Sequence, residues 1–149
     1  MVHLETWKRL AIEVLKILSN NGANLLKVYM CHLDCDYYEE NYYRDIIKTG
    51  AYIGFDGFGG DIFLHPIFSM PTDNDRVRIL LKLIEDGFIN NILIGNDVCM
   101  KHRLHKYGGF GYNHFLSNVL PILKEKGLNE KQLNILLIEN PKRYLSIEL

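Results

Sequence analysis

Residues 27–32 read Lys27-Val28-Tyr29-Met30-Cys31-His32, and residues 92–97 read Ile92-Leu93-Ile94-Gly95-Asn96-Asp97. Each is a short apolar run that closes on a side chain able to bind a metal ion. Short continuous apolar runs are the pattern of strands buried on both faces of a parallel sheet. A metal-ligating side chain where a buried strand passes into a loop is how α/β barrels assemble sites, with several strand ends converging on one rim. His3 stands at a third such place, just ahead of a helical pattern.

Working outward, Trp7, Leu10, Ala11, Val14, Leu15 and Leu18 repeat at helical spacing, with Thr6 as the predicted cap and Gly22 beyond the end. A second helix is predicted over 37–48 and is stopped by Gly50. Residues 51–55, Ala51-Tyr52-Ile53-Gly54-Phe55, read as the next strand, and a glycine-rich loop runs from Asp56 to Pro71. Val77, Leu80, Leu81 and Ile84 mark a third helix, and 92–94 the cleanest buried strand. Phe115, Val119, Leu120 and Leu123 mark another helix, which Pro121 should bend. Asn129 is predicted to cap a last helix that ends before Asn140-Pro141.

Strands alternating with helices at this spacing argue for a parallel sheet of βα units, here three strands and a stub at 1–3. Residues 1–149 form one α/β domain, with no internal repeat, low-complexity stretch or linker. A net charge of -1 gives no electrostatic footprint for nucleic acid. No run approaches the ~20 apolar residues of a membrane span, and the first residues lack the pattern of a signal peptide. Cys31, Cys35 and Cys99 are odd in number and loosely spaced, against a disulfide framework. The expectation is a cytoplasmic protein acting on a small molecule, without nucleic acid or membrane as partner.

Each candidate ligand has a plainer reading. A lone histidine after a strand is more often a hydrogen-bonded structural residue, and an aspartate there often caps a turn. Three such residues at successive strand ends are harder to assign to chance. Imidazole suits zinc, iron, cobalt or nickel, and a carboxylate both binds such an ion and accepts a proton. Cys31-His32-Leu33-Asp34-Cys35 matches no zinc motif, so Cys31 is read as core. His102 and His105 sit on a charged segment and are read as exposed. Residues 107–112 are read as turn chemistry rather than an anion cradle, and Tyr37, Tyr38, Tyr42 and Tyr43 as helix packing.

Cys31-His32-Leu33-Asp34, Phe55-Asp56-Gly57-Phe58-Gly59, Ile94-Gly95-Asn96-Asp97-Val98-Cys99, Lys101–Arg103, residues 107–114 and Glu139-Asn140-Pro141 follow one another in a familiar order. They resemble landmarks of the phosphotriesterase family of the amidohydrolase superfamily, closest to its phosphotriesterase-related and lactonase-like branches. The resemblance covers essentially the whole chain. It implies the C-terminal half of a (β/α)8 TIM barrel, strands five to eight, with a binuclear centre of divalent metal, zinc first among the candidates. By motif, His3 and His32 match the fifth- and sixth-strand histidines that share one metal, and Asp97 the eighth-strand aspartate that binds the other. The implied reaction is attack of a metal-activated hydroxide on a lactone, carboxylic ester or phosphotriester, with Asp97 as base and proton shuttle.

The departures are equally plain. The family's first-strand HxH pair and fourth-strand bridging lysine have no counterpart here, and Phe110 stands where the family usually has histidine. Half a barrel also exposes sheet edges and faces that the other strands would cover, which favours partner capture or self-association. Two expectations follow: a hydrolase half completed by an N-terminal half from another chain or by a homo-oligomer, or a non-catalytic remnant that self-associates.

Overall fold

The computed structural model describes residues 2–5, 9–35, 39–60, 63–64 and 68–147, with 2, 3, 5, 63, 64, 68 and 69 described by backbone alone. Four strands, β1 (Val2–Glu5), β2 (Val28–Cys31), β3 (Tyr52–Phe55) and, beyond a small hairpin, Ile92–Ile94, form one parallel sheet. The hairpin pairs β4 (Phe63–Leu64) with β5 (Phe68–Ser69), so the sheet's last strand is β6 and its order is β1-β2-β3-β6. Register pairs Tyr29 with Tyr52, Ile53 with Ile92 and Gly54 with Leu93. Side chains alternate along each strand, so this register sorts the sheet into two faces.

One face carries Val28, Met30, Ile53, Phe55 and Ile92, all buried, and packs on helices α1 (Ala11–Asn20), α2 (Glu40–Lys48) and α3 (Asp73–Glu85). Ala11, Leu15, Tyr43, Ile46, Val77, Leu80 and Leu83 complete this core from the helix side. Each fully buried Leu, Ile or Phe contributes about 1.5–3 kcal/mol by leaving water, so this layer dominates the stability of the domain. The other face carries Tyr29, Tyr52, Gly54 and Leu93. It is closed in part by Tyr144, whose ring lies 5.8 Å from Tyr29 and 5.4 Å from Tyr52. Tyr52 and Leu93 are buried there, 4% and 8% exposed, while Tyr29 stays half-buried. The edges of the sheet are β1 and β6, as four unclosed parallel strands require.

Local signals acted largely as the sequence implied. Gly22, Gly50 and Gly87 take φ of 82°, 95° and 89° just past helix ends, the left-handed conformation that stops a helix. α3 opens with a reciprocal capping box between Thr72 and Asp75. Thr6, Trp7, Tyr37 and Tyr38 lie outside the described residues, and α1 is seen to begin at Ala11. At two positions a helix runs on through a proline. π-Helical stretches Phe115–Val119 and Ile135–Glu139 each stand one residue ahead of a proline, Pro121 in α4 (Leu120–Glu125) and Pro141 in α6 (Asn140–Leu145). A proline in a helix meets the carbonyl four residues back, and widening the turn relieves the clash. The last helix, opened at α5 (Glu130–Asn134) by the predicted Asn129 cap, therefore continues through Pro141 instead of ending before it. Among the described residues no helix is long and apolar enough to cross a membrane.

Candidate functional site

The C-terminal ends of β2, β3 and β6 gather the polar residues. His32 follows β2, Asp56 follows β3, and Asp97 lies three residues beyond β6. Among the described residues, His32 (φ 55°) and Asp97 (φ 42°) are the non-glycine residues with left-handed backbone. That conformation persists only where neighbours hold it, and it concentrates at functional sites. Two of the three residues singled out from the sequence as strand-end ligands, His32 and Asp97, are therefore also the two that the fold strains.

Asp56 holds His32. Its carboxylate accepts the His32 backbone N–H at 3.0 Å and meets the ring Nδ1 at 2.9 Å. It also accepts the Tyr29 hydroxyl across the sheet face. Gly54 makes this possible, because a Cβ there would lie 2.5 Å from the Tyr29 hydroxyl and 2.7 Å from Asp56 Oδ2. Burial works to raise the Asp56 pKa, but the His32 hydrogen bond and charge and the Tyr29 hydroxyl outweigh it and hold the carboxyl below its usual range. The same hydrogen bond pushes the His32 imidazole up to about 11. A carboxylate on the far nitrogen of a ligating histidine sets its tautomer and raises its basicity.

Beneath lies a buried polar network. Arg76 of α3 is fully buried and donates through Nε to Asp34 Oδ2 at 3.0 Å and through Nη1 to Asp73 Oδ1 at 3.2 Å. Asp34 also accepts the Gly57 N–H at 2.9 Å, and Asp73 accepts the Gly59 N–H at 3.0 Å and pairs with His114 Nε2 at 2.5 Å. The loop after β3 is thereby tied at Gly59 to the start of α3 and at Gly57 to Asp34, the partner of Arg76 after β2. Burial, followed by the neighbouring charge of Asp56, raises the Asp34 pKa, and the Arg76 charge opposes them.

Asp97 is held from the other side. Arg103 donates through Nη1 to the Asp97 carbonyl at 2.6 Å, and the same nitrogen lies 3.6 Å from Asp97 Oδ2. Asn96 joins the following loop to the helix behind it, donating to the Tyr112 carbonyl at 2.7 Å and accepting the Phe115 N–H at 3.2 Å. In that loop Gly108 and Gly111 take φ of 90° and 69°, which supports the reading of residues 107–112 as turn chemistry. His102 and His105 are exposed, and His105 meets Asn113 Oδ1 at 2.7 Å. Cys31 is core, and Tyr43 is buried with its hydroxyl on the Leu33 carbonyl.

His3 lies in β1 opposite Tyr29, but its side chain lies outside the described residues. Among the described residues no group of three or more His, Cys, Asp or Glu side chains converges as a metal site. The structure thus places His32 and Asp97 at the same end of the sheet without assembling a ligand set around them. Sequence reading passed over Asp56, Asp34, Arg76 and Arg103 as functional residues. The one local signal was the position of Asp56, directly after a buried strand as His32 is.

The fold agrees with what similar proteins show. The model of the Phosphotriesterase family matches residues 1–145. The chain is 36% identical to the N-acetyltaurine hydrolase of Danio rerio over 99% of its own length and 43% of that protein's. It is 40% identical to the N-acetyltaurine hydrolase of Dictyostelium discoideum over 91% of its length and 38% of that protein's. Among solved structures, a resiniferatoxin-binding protein from Rhodobacter sphaeroides superposes with a TM-score of 0.90 at 33% identity, covering 97% of this chain and 41% of that one. The phosphotriesterase homology protein of Escherichia coli, solved with phosphate in its active site, superposes at 0.86 and 26% identity, covering 97% and 47%. The chain spans about two fifths of the length of the curated relatives it matches. Its parallel sheet and helices correspond to part of the barrel of these proteins, and the chain belongs to the phosphotriesterase family.

Proposed function

We propose that this chain forms the strand-five-to-eight part of a cytoplasmic, metal-dependent (β/α)8 hydrolase, and that its substrate is a small N-acylated amine of the N-acetyltaurine kind. The observation that carries the reading is the pair His32 and Asp97. Both stand at strand ends, both are held in left-handed backbone, and both lie in a chain 36–40% identical to N-acetyltaurine hydrolases. Lactones and carboxylic esters, the expectation from the sequence, share with that amide an acyl carbon open to hydroxide.

Members of the family are metal-dependent. The donors fit a divalent ion such as zinc in kind, imidazole and carboxylate, while a catalytic zinc takes three protein ligands. His3 and His32 would hold one ion and Asp97 a second, each completed by donors from the strand-one-to-four part of the barrel. When bound, the ions would supply Lewis-acid polarisation of the acyl group and acidify water. Asp97 takes the proton of the attacking water and returns it to the leaving amine, as a general base and then acid. With Nδ1 engaged by Asp56, His32 presents Nε2 as its donor, and Asp56 keeps the ring from turning.

The test is reconstitution. The purified chain is loaded with zinc, alone and mixed with the remaining N-terminal portion of the Dictyostelium relative as a second polypeptide. Zinc content and acetate release from N-acetyltaurine are measured, with a lactone and an ester alongside. Turnover that His32→Ala or Asp97→Ala abolishes and His102→Ala leaves unchanged supports the reading. Undiminished turnover in either site variant overturns those assignments. Neither zinc nor turnover in any mixture makes the chain a non-catalytic, self-associating module instead.

A further inference from the structure

Asp97 holds a backbone conformation that a non-glycine residue keeps only under constraint, and the constraint is traceable to one side chain. The Asp97 carbonyl accepts the Cys99 N–H at 2.8 Å and the Arg103 Nη1 at 2.6 Å. The Cys99 bond closes a tight local turn, which by itself leaves φ free to relax. Arg103 fixes the turn to the body of the protein. Its own backbone is anchored by Arg103 N–H to the Met100 carbonyl at 3.0 Å and by the Gly111 N–H to its carbonyl at 2.8 Å.

The guanidinium has no room to move away. Arg103 is 7% exposed and its Nε has no hydrogen-bond partner among the described residues. A buried donor left unmade is costly, so the bond from Nη1 to the Asp97 carbonyl is the one the guanidinium keeps among the described residues. Gly60 packs tightly on the guanidinium, since a Cβ there would lie 2.7 Å from Arg103 Nη2, and Gly109 packs on the backbone, since a Cβ there would lie 2.2 Å from the Arg103 carbonyl carbon. Lysine reproduces neither part, because its ammonium lacks the planar fork that Gly60 covers and Asp97 engages.

We propose that Arg103 is the positioning residue for Asp97: it clamps the Asp97 carbonyl against the loop after β3, keeps the residue in left-handed backbone, and so holds the carboxylate ready as ligand and base. The clamp acts on the backbone oxygen, so it persists when the carboxylate is engaged elsewhere and its 3.6 Å contact with Arg103 is given up. The proposal rests on the reading of Asp97 as a metal ligand. It adds a residue that touches neither metal nor substrate and acts through Asp97 alone.

Two readouts on the full chain test it, one independent of metal. The first is hydrogen exchange at the Cys99 amide, whose acceptor is the clamped carbonyl. Arg103→Ala accelerates it at least tenfold, Arg103→Lys restores it only in part, and millimolar guanidinium ion restores the alanine variant. Ile53 and Leu80 amides, in the core, keep their protection throughout. The second is Co2+ affinity followed by visible absorption, which falls roughly tenfold or more in Arg103→Ala, the scale on which supporting residues tune metal sites, and recovers with guanidinium. Unchanged Cys99 exchange in a folded Arg103→Ala chain overturns the proposal, as does loss of core protection together with Cys99, which makes Arg103 a general structural residue. If wild type and Asp97→Asn bind Co2+ equally, the ligand reading of Asp97 fails, while the exchange experiment still decides whether Arg103 sets its backbone.

Discussion

Replacing Arg76 with methionine keeps the volume of the side chain and removes its charge from the centre of the buried network. The salt bridge to Asp34 at 3.0 Å and the bond to Asp73 at 3.2 Å are both lost, leaving Asp34 with the backbone N–H groups of Gly57, at 2.9 Å, and Asp56. Asp34 and Arg76 are 2% and 0% exposed, so water cannot take over. Breaking one side of such a pair costs about 3–5 kcal/mol, because the surviving charge stays buried and uncompensated. That is a large fraction of the ~5–15 kcal/mol that holds a domain together. The loss should depend on pH, and its sign is fixed. Burial and Asp56 already hold the Asp34 carboxyl high, up to about 7, against the opposing Arg76 charge. Without Arg76 it rises further. A carboxyl whose folded pKa lies above the unfolded one takes up a proton in the folded state, and the associated destabilisation fades as pH falls below the folded value. The cost of Arg76→Met is therefore full near pH 9 and smaller near pH 5. Urea unfolding followed by far-UV circular dichroism at both pH values measures it. The double variant Asp34→Asn, Arg76→Met should recover part of the stability and lose the pH dependence. A single variant within 1 kcal/mol of wild type at pH 9, or a cost that grows toward pH 5, would refute the reasoning.

Asp56→Asn in the metal-free chain should let the His32 imidazole fall from about 11 toward its ordinary value, seen by NMR titration of the ring. Zinc affinity of the reconstituted protein should drop roughly 10–100-fold with it, and an unshifted titration would count against Asp56 as the partner of His32. Asn140→Ala removes the Nδ2 donor that serves the Ile89 and Ile92 carbonyls, both at 2.7 Å. The stability loss in urea should be roughly 2–4 kcal/mol, the cost of leaving buried carbonyls without a partner. Gly109→Ala would bring a methyl group within 2.2 Å of Arg103 backbone. It should cost about 1–3 kcal/mol by overpacking, lowering the thermal midpoint, and a neutral result would show that the loop shifts freely.

Much of the architecture was legible because its determinants are local. Apolar runs at 28–31, 52–55 and 92–94 became strands, Asn129 became a cap, and glycines past helix ends took positive φ. The two prolines show where a local rule was incomplete. Each interrupts one hydrogen bond, but a π turn ahead of it absorbs the ring, and packing of Leu123, Leu136 and Tyr144 holds the helices together across it.

By itself the sequence determined the alternation of strand and helix, the parallel sheet and the strand-end positions of His32 and Asp97, because periodicity, caps and turn residues act over a few neighbours. The tertiary structure alone decided what holds those two residues. Asp56 is 24 residues from His32, and Asp34 is 42 from Arg76. Arg103 reaches Asp97 only because the loop between them folds back, and Gly54 and Gly60 matter only for the side chains that cross over them. Hydrogen bonds between distant side chains leave no periodic trace along a chain. They exist once burial has brought the strand ends together and removed the water that would otherwise satisfy each group.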